Sequence, residues 1–132
     1  YCKEAYEGIA LRAKLRAEGR SDHRAIRKAI DKLARKRRAS QPRAASSGCI
    51  FRNPDEASAG LLIDQVGLKG AREGGAVVSG LHANFIINEG GASAEEVIAL
   101  IKRVRERVRE SNGLLLEPEV TLMGKSWNEY LS

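Results

Sequence analysis

Few residues in this 132-residue chain are of a type that could do chemistry. They are Cys2 and Cys49, His23 and His82, a glycine-rich stretch from Gly67 to Gly75, and a basic run from Arg20 to Arg43. The two cysteines have neither metal-ligand spacing nor the pattern of a disulfide framework, and each alone reads as a small buried side chain. Free thiols favour a reducing, cytoplasmic compartment. The histidines have no second ligand at metal spacing and no nucleophile pattern around them, so no metal site is expected. The glycines spell neither GxGxxG nor a phosphate loop, which removes nucleotide sites of those kinds. The basic run holds ten Lys or Arg against Asp22 and Asp31, a net +8 in a chain of +6, so the remainder carries −2. Such a patch suits a nucleic acid or a phosphorylated small molecule, or is the solvated face of a helix.

The elements that would position these residues follow from periodicity. Residues 8–18 alternate Ile9, Leu11, Ala13, Leu15 and Ala17 with polar neighbours and predict a half-buried strand. Gly19-Arg20-Ser21 turns the chain, and Ser21 or Asp22 can cap an amphipathic helix over 22–39, with Ile26, Ile30, Leu33 and Ala34 on one stripe. Gln41-Pro42 ends that helix, and residues 48–54 read as a short strand closed by Pro54. Leu61, Leu62 and Val66 give a short helix stopped by Gly67, followed by strand around 76–78 and strand 83–88. Ser93 and Glu96 form a capping box before a helix whose buried stripe is Val97, Ile98, Ile101, Val104 and Val108. Asn112-Gly113 stops it, and 114–123 reads as a last strand at an edge because of Pro118. Residues 125–132 form a tail without regular pattern, with Trp127 and Tyr130 available for docking.

The predicted class is α+β, with a single mixed β-sheet packed against two longer helices and one short helix. The length suits one domain, and no apolar run approaches the ~20 residues of a membrane span. Tyr1 to Glu7 is polar and lacks an initiating Met, so no signal peptide is visible and the chain reads as a piece of something larger.

A set of short motifs is more specific when taken in order. Gln41-Pro42 precedes the run Gly48 to Pro54 (GCIFRNP), then come Ala59 to Gln65 (AGLLIDQ), Gly67 to Gly70 (GLKG), Gly74-Gly75-Ala76, His82 to Asn88 (HANFIIN) and Leu116 to Val120 (LEPEV). Together they resemble the carboxy-terminal domain of the UDP-N-acetylenolpyruvoylglucosamine reductases, over nearly all of residues 8–124. The resemblance implies a flavoenzyme in which NADPH reduces FAD and the flavin passes hydride to UDP-N-acetylglucosamine enolpyruvate, giving UDP-N-acetylmuramate for peptidoglycan. Hydride reaching the terminal vinyl carbon builds negative charge at the adjacent carbon, so a proton donor must lie within hydrogen-bond reach on a rigid backbone.

In the family that donor follows Gly in the GSxFxNP-type motif and is commonly Ser; the matching residue here is Cys49. A thiol, with an ordinary pKa of about 8.5, is a stronger acid than an alcohol and stays mostly protonated at neutral pH. Glu119 matches a second active-site residue that stabilises enolate-like charge in a protonated or hydrogen-bonded form. Asn53 matches a residue near the diphosphate, Lys69 a lysine of the nucleotide pocket, and His82 a position facing the nucleotide. Their plain alternatives are a buried thiol for Cys49, an edge-strand carboxylate for Glu119, a turn residue for Asn53, a surface cation for Lys69 and a strand-start histidine for His82.

Arg52, Gln41 and Arg37 complete the implied substrate contacts. The family's usual lysine before Gln-Pro is Ser40 here, so Arg37, Arg38 or Arg43 would supply that charge. The resemblance divides the chain into a substrate domain over 1–124 and the tail 125–132. It puts the FAD-binding subdomains before residue 1, so these residues alone are expected to bind no FAD and to lack activity. The competing reading is a non-catalytic basic α+β module that binds nucleic acid or another anion through helix 22–39. Only Phe51 and Phe85 lie outside the chain ends as aromatics, too few for base stacking, so no nucleic acid partner is expected.

Overall fold

The computed structural model describes residues 11–17, 19–55 and 57–131, in two compact units, Tyr1–Leu33 and Ala34–Ser132. In the first unit residues 11–17 belong to no helix or strand, with Leu11 92% and Leu15 94% exposed. The half-buried strand expected over 8–18 is therefore not formed over 11–17, and its residues 8–10 and 18 lie outside the described residues. An alternating segment buries its apolar face only when another strand pairs with it. No described residue of this unit is in a strand.

Helix α1, His23–Ser40, starts where Asp22 Oδ2 accepts the backbone N–H groups of Arg24 and Ala25 at 3.0 and 3.3 Å. None of its residues is buried, and the expected inner stripe of Ile26, Ile30 and Leu33 is exposed.

The second unit contains the sheet. Its strands are β1 (Ser46–Cys49), β2 (Arg72–Glu73), β3 (Ala76–Val78) and β4 (Phe85–Asn88), in the order β1-β4-β3-β2. Every named pairing is antiparallel, so this α+β sheet is not mixed. Chain reversals at Gly74-Gly75 and between β3 and β4 are short, which suits antiparallel neighbours. Gly75 allows this close folding: a Cβ there would lie 2.7 Å from Gly90 O and 2.8 Å from Ala92 N.

Two helices cover the sheet's core: α2 (Ala59–Gln65) and α3 (Ala94–Asn112). The capping box at α3 forms as expected, with Ser93 Oγ accepting from Glu96 N and Glu96 accepting from Ser93 N; Gly113 closes the helix in the left-handed region at φ 69°. Leu100, Ile101, Val104 and Val108 are buried against Ile50, Phe51, Ile63, Val78, Ile86 and Leu116, and Ile98 is buried on the same helix. Each such side chain contributes roughly 1.5–3 kcal/mol. Leu100 thus joins the expected stripe, while Val97 is half-buried.

The last strand expected over 114–123 contracts to one antiparallel bridge, Phe51 to Pro118, with its two hydrogen bonds made by Arg52 N and Glu119 N. The tail is more ordered than its pattern implied. Trp127 packs on the core, its Nε1–H donates to Val120 O at 2.7 Å, and a short helix α4, Asn128–Leu131, follows. Among the described residues no helix is long and apolar enough to cross a membrane.

Candidate functional site

Cys49 ends β1 opposite Phe85 and is half-buried. Partial burial raises its thiol pKa above the ordinary value, and the negative charge of Glu119 raises it further. Both effects disfavour the thiolate, so Cys49 is a neutral acid with a proton to give across the neutral range. Glu119 reaches this neighbourhood through the backbone: Glu119 N donates to Ile50 O at 2.7 Å, and Arg52 N donates to Glu117 O at 2.9 Å, either side of the Phe51–Pro118 bridge. Glu119 is half-buried and Glu117 exposed. The Glu119 segment, distant in sequence, is thus hydrogen-bonded to the backbone that directly follows Cys49.

Sequence reasoning passed over the residue that holds this segment. Asn84 is 2% exposed; its Oδ1 accepts from Phe51 N at 2.9 Å and its Nδ2 donates to Phe51 O at 2.8 Å. The available signal was an amide interrupting the apolar run Ala83 to Ile87, since a buried amide needs partners for both ends. Ser79, also 2% exposed, was missed too: its Oγ accepts from Leu81 N and His82 N and shapes the turn that carries His82.

His82 and Asn53 both border the first turn of α2. His82 Nδ1 accepts from Asn84 N at 3.2 Å, its ring meets Phe85 edge-on at 4.9 Å, and it packs so close to Gly60 that a Cβ there would lie 3.1 Å from His82 Cε1. Asn53 Oδ1 accepts from Ala59 N at 3.0 Å, which leaves its Nδ2 as a donor. Arg52 is held by its backbone, with its side chain exposed.

Arg37 and Gln41 are joined to each other, Nε to Oε1 at 2.9 Å. With Arg38, Arg43, Gly48 and Phe85 they line a cavity of about 280 Å³ that borders the Cys49 strand. Lys69 is not joined to these groups. Its Nζ bonds Asp64 Oδ2 at 2.6 Å in a surface pair of small energetic weight.

No group of three or more metal-ligating side chains occurs among the described residues. Their glycine turns carry no dinucleotide fingerprint.

The family described as the UDP-N-acetylenolpyruvoylglucosamine reductase C-terminal domain matches residues 41–123. The reductase of Desulfosudis oleivorans is 46% identical over 109 residues, covering 81% of this chain and 35% of that protein. That of Prochlorococcus marinus is 40% identical over 117 residues, covering 88% and 38%. The crystal structure of UDP-N-acetylenolpyruvylglucosamine reductase from Thermus caldophilus superposes with a TM-score of 0.62 at 42% identity, over 74% of this chain and 34% of the other. The chain therefore spans little more than a third of the length of these relatives. With the family matched over most of its length, the chain belongs to the UDP-N-acetylenolpyruvoylglucosamine reductase C-terminal domain family.

Proposed function

We propose that this chain is the substrate domain of a reductase that converts UDP-N-acetylglucosamine enolpyruvate to UDP-N-acetylmuramate, with Cys49 as the proton donor. The observation that carries this reading is that half-buried Cys49 precedes Ile50, whose carbonyl accepts from Glu119 N, so the segment carrying Glu119 is hydrogen-bonded beside the thiol's own backbone. FAD, when bound and reduced by NADPH, would supply the hydride to the terminal vinyl carbon. Cys49 Sγ–H then gives its proton to the adjacent carbon, completing a two-electron reduction of the double bond. The thiolate left behind recovers a proton from solvent. Glu119, the second active-site residue that the resemblance implies, is a hydrogen-bonding partner for the enolate-like group that forms between the two transfers.

Binding of the UDP moiety falls to the surrounding polar groups. Asn53 Nδ2 donates to the diphosphate, with Arg52 beside it on the exposed flank. His82 presents its ring to the nucleotide, and Lys69 turns from Asp64 to a phosphate when substrate arrives. The cavity edged by Arg37, Arg38, Arg43 and Gln41 holds an anionic group in place of the lysine missing at Ser40, since guanidinium groups suit carboxylate and phosphate oxygens. These residues alone, without the flavin-binding part, neither bind FAD nor oxidise NADPH.

Amide NMR of the protein titrated with UDP tests the binding side. Shifts gathered at Asn53, Lys69 and His82 are expected. A UDP response confined to α1, or none at all, refutes the assignment.

A further inference from the structure

We propose that Asn84 is a positioning residue for the Cys49–Glu119 pair, its buried amide standing in for a strand residue that the fold does not provide. The consequence for turnover rests on the function proposed above; the geometry does not.

β4 begins at Phe85, directly after a turn: Phe85 N donates to His82 O at 3.0 Å, and Ser79 N donates to Phe85 O at 2.8 Å. Backbone pairing toward the Cys49 segment reaches one step further, Ile50 N to Asn84 O at 2.9 Å, and ends there. Phe51, 1% exposed, would then have a backbone N–H and C=O inside the core with no strand beside them. One primary amide carries the same donor and acceptor chemistry as a peptide group, and Asn84 satisfies both. On the opposite flank the segment is tied to Glu117 and Glu119. Ile50 to Arg52 is thus clamped between Asn84 and the Glu119 strand, with Cys49 one residue away. Asn84 lies beside Gly60 of α2, where an added Cβ would stand 3.6 Å from its own, at ordinary van der Waals contact. An aspartate cannot donate to Phe51 O, a glutamine is one methylene too long, and an apolar side chain bonds neither group.

The test is the pH dependence of Cys49 alkylation by iodoacetamide in the intact protein, read by mass spectrometry on the peptide that contains Cys49. It is measured with and without Glu119→Gln, in the parent and in Asn84→Leu. In the parent, removing the Glu119 charge is expected to move the alkylation midpoint to lower pH. In Asn84→Leu that displacement is expected to shrink by at least half, because the two groups no longer share a fixed backbone. Where the leucine variant does not fold, Asn84→Ser, whose hydroxyl cannot reach both Phe51 groups, is read for the same loss.

An undiminished displacement in a folded Asn84 variant overturns the proposal, since Asn84 would then contribute stability alone. No displacement in the parent also overturns it, because there would be no pair to position. Failure of the functional reading looks different: Cys49→Ala would turn over normally while this titration result stood.

Discussion

Glu96 is the carboxylate whose removal most directly tests how α3 is anchored to the sheet. Its Oε2 accepts from Ser93 N at 3.1 Å, completing the capping box, and from Gly75 N at 3.2 Å in the turn between β2 and β3. Loss of the reciprocal cap costs about 0.5–1 kcal/mol. The bond to Gly75 is charge-assisted and partly buried, worth about 1–1.5 kcal/mol. Glu96→Ala should therefore destabilise by about 2 kcal/mol. With a urea m-value of about 1–2 kcal/mol/M, the unfolding midpoint falls by about 1–2 M.

Two controls separate the contributions. Ser93→Ala removes the Oγ bond to Glu96 N and should cost about 1 kcal/mol. Glu95→Ala changes an exposed first-turn charge and should stay within about 0.5 kcal/mol. If Glu96→Ala proves no worse than Ser93→Ala, the tie to Gly75 carries no energy and the reasoning fails.

Other expectations concern the site and its frame. Because Cys49 must be protonated to act, turnover should fall as pH rises through its raised thiol pKa; in Glu119→Gln, which removes one cause of that rise, the alkaline limb of the kcat profile should move to lower pH. Gly75→Ala drives a methyl into the backbone at Gly90 and Ala92 and should cost about 1–3 kcal/mol, seen as a lowered thermal midpoint. Trp127→Ala removes a half-buried ring and its bond to Val120 O, with about 2 kcal/mol lost and faster amide hydrogen exchange in residues 127–131 as the readout.

The parts of the fold legible in the sequence are those whose determinants are local. The capping box at Ser93 and Glu96, the stop at Gly113 and the 3.6-residue stripe located α3 almost to the residue. Residues 8–18 show the limit of this reasoning. Strict alternation records that a face is to be covered but not by what, and Leu11 and Leu15 are uncovered among the described residues. Pro118 marked an edge correctly, yet the pattern of 114–123 could not show that pairing reduces to a single bridge.

The site was legible in part. Cys49 and Glu119 were picked by resemblance to a family, and their proximity is a tertiary fact carried by Ile50 and Phe51. Asn84 and Ser79 were overlooked because their roles are to bond backbone, which spacing does not encode. The pairing of Lys69 with Asp64 is likewise a product of folding that the GLKG motif does not show.

The central claim, that Cys49 protonates the substrate carbon, is tested most directly by following flavin absorbance after rapid mixing of the intact Cys49→Ala protein. NADPH should bleach the flavin at the parent rate, and subsequent addition of the enolpyruvyl UDP-sugar should fail to restore its colour at any comparable rate. Reoxidation by substrate at the parent rate would remove Cys49 from the reaction and contradict the account.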